Sequence, residues 1–267
     1  MSDAEPITRV LLPCGGRGTR MLALTHGAPK ELIDVAGVPA LERVARECAA
    51  AGIEHALVVT APGKEAIERH LAPLAGTPGL PRTISFTVQR EARGLADAMR
   101  LGREFAESGS IAVALPDNLF DGAMPGLAEV LETYVATGTS TVAVAEIAAA
   151  DAARRGATAA YPGTLDGDVY RLSAVPEKRA HDGAFDTGGR ASAFTAVGRY
   201  AFTGELWEAI ERADRTRAAD AELDDVPVLR DLFARGRLVG RRMRGRFLDV
   251  GVPDGWREAD ALLRAGA

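Results

Sequence analysis

Ile7-Thr8-Arg9-Val10-Leu11-Leu12-Pro13 runs directly into Cys14-Gly15-Gly16-Arg17-Gly18-Thr19-Arg20. The first half of this stretch is a short apolar run, the pattern of a strand covered on both faces. The second half is a loop in which three glycines allow tight turns and close approach of backbone N–H groups to a ligand. A buried strand that breaks into such a loop belongs at the centre of an α/β sheet, whose ligands lie beyond the carboxyl ends of its strands.

Working outward, Val38 to Ala51 places Leu41, Val44, Ala45 and Cys48 at helical spacing, and Gly52 supplies a stop. His55 to Thr60 reads as the next strand, Lys64 to Leu71 as a helix, Thr83 to Gln89 as a strand and Leu95 to Phe105 as a helix. Ile111 to Leu115 is a further buried strand that ends at Pro116-Asp117. The alternation predicts an α/β fold, doubly wound around a mostly parallel central sheet, in a single bilobed domain. Its halves are expected at about 7–121 and about 122–267. In the second half, Leu127 to Ala136, Glu205 to Ala213, Val228 to Arg235 and Trp256 to Ala265 read as helices. Thr139 to Ile147, Val169 to Val175 and Leu238 to Phe247 read as strands, and Asp182 to Arg190 reads as a mobile loop.

The bulk properties narrow the function. The chain has 267 residues, 47% of them hydrophobic and 26% charged, with a net charge of -5. That composition suits a folded domain, and the mild acidity argues against a nucleic-acid partner, which would favour a basic surface. Phosphate, if bound, is expected in a local pocket of loops and a few cations. Cys14 and Cys48 are the only cysteines and lack zinc-site spacing. Met1 to Pro6 lacks the basic and apolar regions of a signal peptide, and no apolar run reaches the ~20 residues needed to span a bilayer. The expectation is a cytoplasmic protein with no membrane partner.

The glycine loop lacks the Lys-Ser/Thr ending of a Walker loop, and Met21 stands where a dinucleotide fingerprint wants its last Gly or Ala. Thr60-Ala61-Pro62 also replaces the acidic residue that would end the second strand of a nicotinamide-binding fold. What the loop does match is longer. Gly15-Gly16-Arg17-Gly18-Thr19-Arg20 followed by Pro29-Lys30-Glu31-Leu32 resembles the signature of sugar-1-phosphate nucleotidyltransferases. Leu115-Pro116-Asp117-Asn118-Leu119-Phe120 resembles the segment best known from the glucose-1-phosphate thymidylyltransferases, and Phe247-Leu248-Asp249-Val250-Gly251 is similar to their C-terminal metal site. The resemblance extends from about Thr8 to about Leu262.

That resemblance implies transfer of a nucleotidyl group from a nucleoside triphosphate to a sugar 1-phosphate, with release of pyrophosphate and no covalent enzyme intermediate. It makes Arg20 and Lys30 the cations on the triphosphate, which suits a reaction catalysed by positioning and charge. Asp117 and Asp249 become the ligands of Mg²⁺, a hard cation that prefers oxygen. Cys14, Gly15, Gly16, Gly18, Thr19 and Asn118 are expected at the nucleotide. Gln89 and Gly94, in Gln89-Arg90-Glu91-Ala92-Arg93-Gly94, resemble the base-reading segment that favours UTP or dTTP. An amide both donates and accepts, as the edge of uracil or thymine requires.

Sugar-pocket elements of UDP-glucose pyrophosphorylases are matched more thinly by Arg154-Arg155-Gly156-Ala157, by Val175-Pro176-Glu177-Lys178 and by Thr195-Ala196-Val197-Gly198-Arg199-Tyr200. Gly156, Glu177, Lys178 and Thr195 are the sugar-phosphate residues so implied. Arg179 stands where the family usually has Pro. Purine triphosphates, a cyclitol or unusual sugar phosphate, a homo-oligomer, and a non-catalytic protein that binds nucleotide sugars all stay open on sequence alone.

Overall fold

The computed structural model describes residues 4–107, 109–152, 159–177, 187–218 and 220–266. Its first strand, β1 (Arg9–Pro13), is buried through Val10, Leu11 and Leu12 and lies between β4 (His55–Thr60) and β6 (Ile111–Ala114), parallel to both. β5 (Thr83–Val88) continues the parallel run beyond β4. The glycine loop leaves β1 through a single 3₁₀ turn, Thr19–Met21, then α1 (Leu22–Thr25), a second turn at Lys30–Leu32, and the small hairpin β2 (Asp34–Val35) and β3 (Val38–Pro39). Helices α2 (Ala40–Ala50), α3 (Glu65–Leu71) and α4 (Leu95–Arg100) connect these strands.

After β6 the chain turns at Pro116-Asp117 into β7 (Asn118–Asp121), then α5 (Gly126–Thr137) and β8 (Ser140–Ala148). β9 (Gly163–Asp166), β10 (Val169–Leu172) and β11 (Ser192–Phe202) follow, then α6 (Glu205–Thr216), α7 (Asp225–Ala234), β12 (Leu238–Arg242), β13 (Arg246–Asp249) and α8 (Pro253–Ala265). Nine strands form one sheet in the order β5-β4-β1-β6-β11-β8-β12-β10-β9, and β11 and β10 alone run against the other seven. The mostly parallel, doubly wound arrangement is therefore the observed one, and β11 joins strands from both sequence halves into one sheet. One apolar cluster packs α2, α5 and α8 onto one face, and a second packs α4, α6 and α7 onto the other. Among the described residues no helix is long and apolar enough to cross a membrane.

Two readings of the sequence need correction. Leu238 to Phe247 is not one strand: it breaks after Arg242, and β13 leaves the main sheet to pair antiparallel with β7, placing Asp249 opposite Asn118. The helix expected over Leu95 to Phe105 stops at Arg100 and gives way to tight turns, with Leu101, Gly102 and Arg103 N–H donating to the carbonyls of Ala98, Met99 and Arg100; a Cβ on Gly102 would come within 2.7 Å of the Leu11 side chain. The Asp182 to Arg190 loop falls largely outside the described residues.

Candidate active site

Three loops meet beyond the carboxyl ends of β1, β5 and β6, the position that a parallel sheet reserves for ligands. Together they enclose a cavity of about 550 Å³. The glycine loop supplies Gly15, Gly16, Gly18, Thr19 and Arg20. Lys30, Gln89, Gly94, Asp117 and Gly251 also line it, as do Glu222 and Asp224 from the connection between α6 and α7. A neighbouring hollow of about 490 Å³ continues over the loop toward Lys64 and Arg90.

Asp117 is placed by the turn between β6 and β7, and Asp249 by the β7–β13 pairing. Val250 N–H donates to the Asp117 carbonyl at 2.8 Å, which ties the two segments together, and within its own segment Gly251 N–H donates to Asp249 Oδ1 at 2.8 Å. Gly251 is where the carboxylates converge. A Cβ there would stand 2.7 Å from Asp117 Oδ2 and 3.0 Å from Asp249 Oδ1. Only a residue without a side chain leaves that small volume free.

Electrostatics divide the pair. Burial alone would raise the Asp117 carboxyl, but the charge and hydrogen bond of Lys30 outweigh it and hold Asp117 below its ordinary value. Asp249 lacks such a partner, so burial and then the charge of Asp117 push it up to about 7. Burial would likewise lower the Lys30 ammonium, and Asp117 reverses that. Two carboxylates facing one small volume, one of them ionised against Lys30, suit a hard divalent cation. Among the described residues no group of three or more His, Cys, Asp or Glu could hold a metal ion. The remaining ligands of a cation at this point would have to come from water or from a bound phosphate.

Gln89 is 6% exposed and its amide is oriented by its neighbours. Nε2 donates to the Gly94 carbonyl at 3.1 Å and to Asp97 Oδ2 at 2.8 Å, and Oε1 points at Gly15. A carboxylate beside Nε2 fixes the flip, since Oε1 there would face another acceptor. Both Gln89 donors are engaged by these neighbours, and its oxygen lies against Gly15 at the cavity. Gly94 adopts φ +106°, and a Cβ would lie 2.4 Å from the Leu223 carbonyl. The close approach that demands this glycine is made by the α6–α7 connection.

The remaining expected residues are scattered. Cys14 lies wholly in the core, its thiol pushed up by burial and by Glu31, and it reaches the site only through its carbonyl. Asn118 is buried and its side-chain amide donates to Asp117 Oδ1 at 3.1 Å. Thr195 donates to the Ala159 carbonyl at 2.8 Å, and Glu177 is exposed and paired with Arg230 at 2.8 Å; neither lines the cavity. Gly156 and Lys178 lie outside the described residues.

Sequence reasoning missed Lys64. Its ammonium reaches both Glu31 oxygens at 2.9 Å and the carbonyls of Cys14 and Gly16 at 2.7 Å, tying the glycine loop down. The one available signal was Glu31, which is 1% exposed and follows Lys30 directly.

Comparison with known proteins agrees with this architecture. Residues 9–265 match the model of the family described as nucleotidyl transferase. A UTP--glucose-1-phosphate uridylyltransferase of Bacillus subtilis is 27% identical over 265 residues, covering 92% of this chain and 87% of that one. One from Staphylococcus epidermidis is 25% identical over 265 residues, covering 92% and 88%. Among solved structures, a UDP-glucose pyrophosphorylase complexed with UDP-glucose superposes with a TM-score of 0.81 at 23% identity, covering 98% of this chain and all of that one.

Proposed function

We propose, from the premise that this chain belongs to the nucleotidyl transferase family, that it transfers the nucleotidyl group of UTP or dTTP to a sugar 1-phosphate and releases pyrophosphate, with Mg²⁺ as cofactor. The observation that carries this reading is the convergence of the glycine loop, Arg20, Lys30 and the Asp117–Asp249 pair on one cavity.

The chemistry follows from those groups. The loop's backbone N–H groups, Arg20 and Lys30 hold the triphosphate and offset the charge that gathers on it. Lys30 rests on Asp117 until a phosphate competes for it. A phosphate monoester has its second pKa at about 6, so the acceptor is ionised at neutral pH without a general base. One of its oxygens attacks the α-phosphorus in line; the new P–O bond forms as the bond to the β-phosphate breaks, and pyrophosphate departs. Mg²⁺ held by Asp117 and Asp249 would draw charge from the phosphate oxygens.

Gln89 sharpens the choice of base. With only Oε1 free, it accepts from an N–H on the edge of the base. Uracil and thymine present a ring N–H there, as guanine does, whereas cytosine and adenine present a ring nitrogen acceptor and donate at that edge only through an exocyclic amine. Glucose 1-phosphate, which the names of the curated relatives carry, is the first acceptor to try.

The test is pyrophosphate release with Mg²⁺ over UTP, dTTP, CTP, ATP and GTP, each against a panel of sugar and cyclitol 1-phosphates. Release with UTP or dTTP that requires an acceptor is expected. Equal rates with ATP or CTP would overturn the base assignment, and silence across the grid with triphosphate binding intact would favour a non-catalytic protein.

A further inference from the structure

Arg199 lies on β11 with none of its side chain exposed, and every one of its five N–H donors has an acceptor. Nε and Nη2 form a two-pronged pair with Glu47 at 2.8 and 2.7 Å. Nη2 also donates to the Asn118 carbonyl at 2.7 Å, and Nη1 donates to the carbonyls of Leu115 at 3.0 Å and Gly198 at 2.9 Å. The Phe120 ring covers the guanidinium, its centroid 5.1 Å from the central carbon.

The placement of those bonds is what gives them meaning. Leu115 and Asn118 bracket Pro116-Asp117, so Arg199 grips from both sides the turn that carries Asp117. The carbonyl of Asp117 itself is held by Val250 N–H, just past the strand that carries Asp249. Glu47 comes from α2 and also accepts from Leu127 N–H at the start of α5 at 2.8 Å, so the grip is anchored to two helices rather than to the loop. A buried ion pair is a weak source of stability, because desolvation consumes most of the attraction, and an apolar pair of equal volume would fill the space as well. Planar, fixed donors aimed at converging carbonyls are what an Arg offers and an apolar pair does not.

We propose that Arg199, oriented by Glu47, is a positioning residue that sets the Asp117 carboxylate against Asp249, so that the two oxygens can share one cation. This rests on the reading of Asp117 as a metal ligand.

The experiment uses the full chain with Arg199→Met and Glu47→Gln combined, which removes both charges and leaves neither stranded, while Gln keeps an acceptor for Leu127 N–H. Mn²⁺ binding without substrates is read from the free-ion resonance signal, alongside kcat and KM for the triphosphate that the wild type uses, and the thermal midpoint. Leu206→Ala, in the core at the opposite end of the sheet, serves as a variant of comparable instability. Loss of an outer partner of a metal ligand weakens binding or turnover by about 10- to 100-fold. Both Mn²⁺ affinity and kcat are expected to fall by that amount, with the triphosphate KM within about threefold, while Leu206→Ala keeps all three. Arg199→Lys, which keeps the charge but cannot span both carbonyls, is expected to lose Mn²⁺ affinity as well. If the double variant and Arg199→Lys bind Mn²⁺ and turn over like Leu206→Ala, the inference is overturned. A wild-type chain that itself binds no Mn²⁺ overturns the reading of Asp117, and the inference with it.

Discussion

Two lysines meet carboxylates beside the same glycine loop, and they are arranged for opposite purposes. Lys64 spends its ammonium on both oxygens of Glu31 and on two loop carbonyls, and Glu31 is only 1% exposed. Lys30 meets Asp117 at the edge of the cavity, with side chains 16% and 18% exposed. The carboxylates respond accordingly: burial raises Glu31 despite Lys64, whereas Lys30 holds Asp117 below its ordinary value. The difference teaches that one pair is a fastening and the other is a charge held ready. An ammonium with three N–H donors and four acceptors has nothing left for a phosphate.

The sharpest way to break this contrast is to remove the charge that is held ready. Asp117→Asn is expected to lower kcat by about 10³-fold, since a metal supplies several kcal/mol of charge stabilisation. Steady-state rates over a range of Mg²⁺ concentrations measure it, and an unchanged rate at limiting Mg²⁺ would remove Asp117 from the metal. Lys30→Met follows, with kcat lower by about 10²-fold, in keeping with loss of one preorganised group aimed at developing charge. Lys64→Met should act differently. It frees the loop, so the triphosphate KM rises by about tenfold while kcat stays within about threefold. It also strands a buried Glu31, costing about 3–5 kcal/mol of stability, most of which Glu31→Gln should restore. A kcat loss in Lys64→Met as large as that of Lys30→Met would mean that the two lysines share a role.

The smallest effect concerns pH. Because Asp249 in the folded chain is pushed up to about 7, below that pH it keeps a proton that a metal bound there would displace. Divalent-cation affinity should therefore rise between pH 6 and pH 8, by at most about tenfold per unit below the midpoint and little above it. The metal-free chain should lose stability as pH rises from about 4 to 7, because the folded state binds the extra proton there. Calorimetry of Mn²⁺ binding at three pH values checks the first, and a flat profile would show that Asp249 is already ionised.

Much of this site was legible in the residues. An apolar run ending in glycines fixes a strand and a loop, and Lys30, Asp117 and Asp249 stand in segments with enough spacing to be read together. The sugar side was read more thinly, since Glu177 and Thr195 lie in short, commonplace contexts; they contact Arg230 and the Ala159 carbonyl. Lys64 and Arg199 were invisible for a different reason. Each works by pointing at backbone carbonyls brought near by the fold, and a carbonyl leaves no mark in a sequence. The single strand expected over Leu238 to Phe247 failed because two strands lie there end to end, and nothing in the residues marks where the backbone changes sheets between Arg242 and Arg246. Gln89 was identified, but its donors are claimed by Asp97 and Gly94, which only the folded geometry shows.

The ribbon of β7 and β13 also has a consequence for how the chain comes into being. Asn118 and Asp249 are paired across a long separation, so β13 can join β7 only after all of the chain between them has been made. Domains assemble as they emerge, and contacts between distant segments form late because the chain must first pay the entropy of closing the loop. The strands around β1 can therefore close on the glycine loop while Asp249 is still unmade. The two carboxylates come together only when β13 docks on β7.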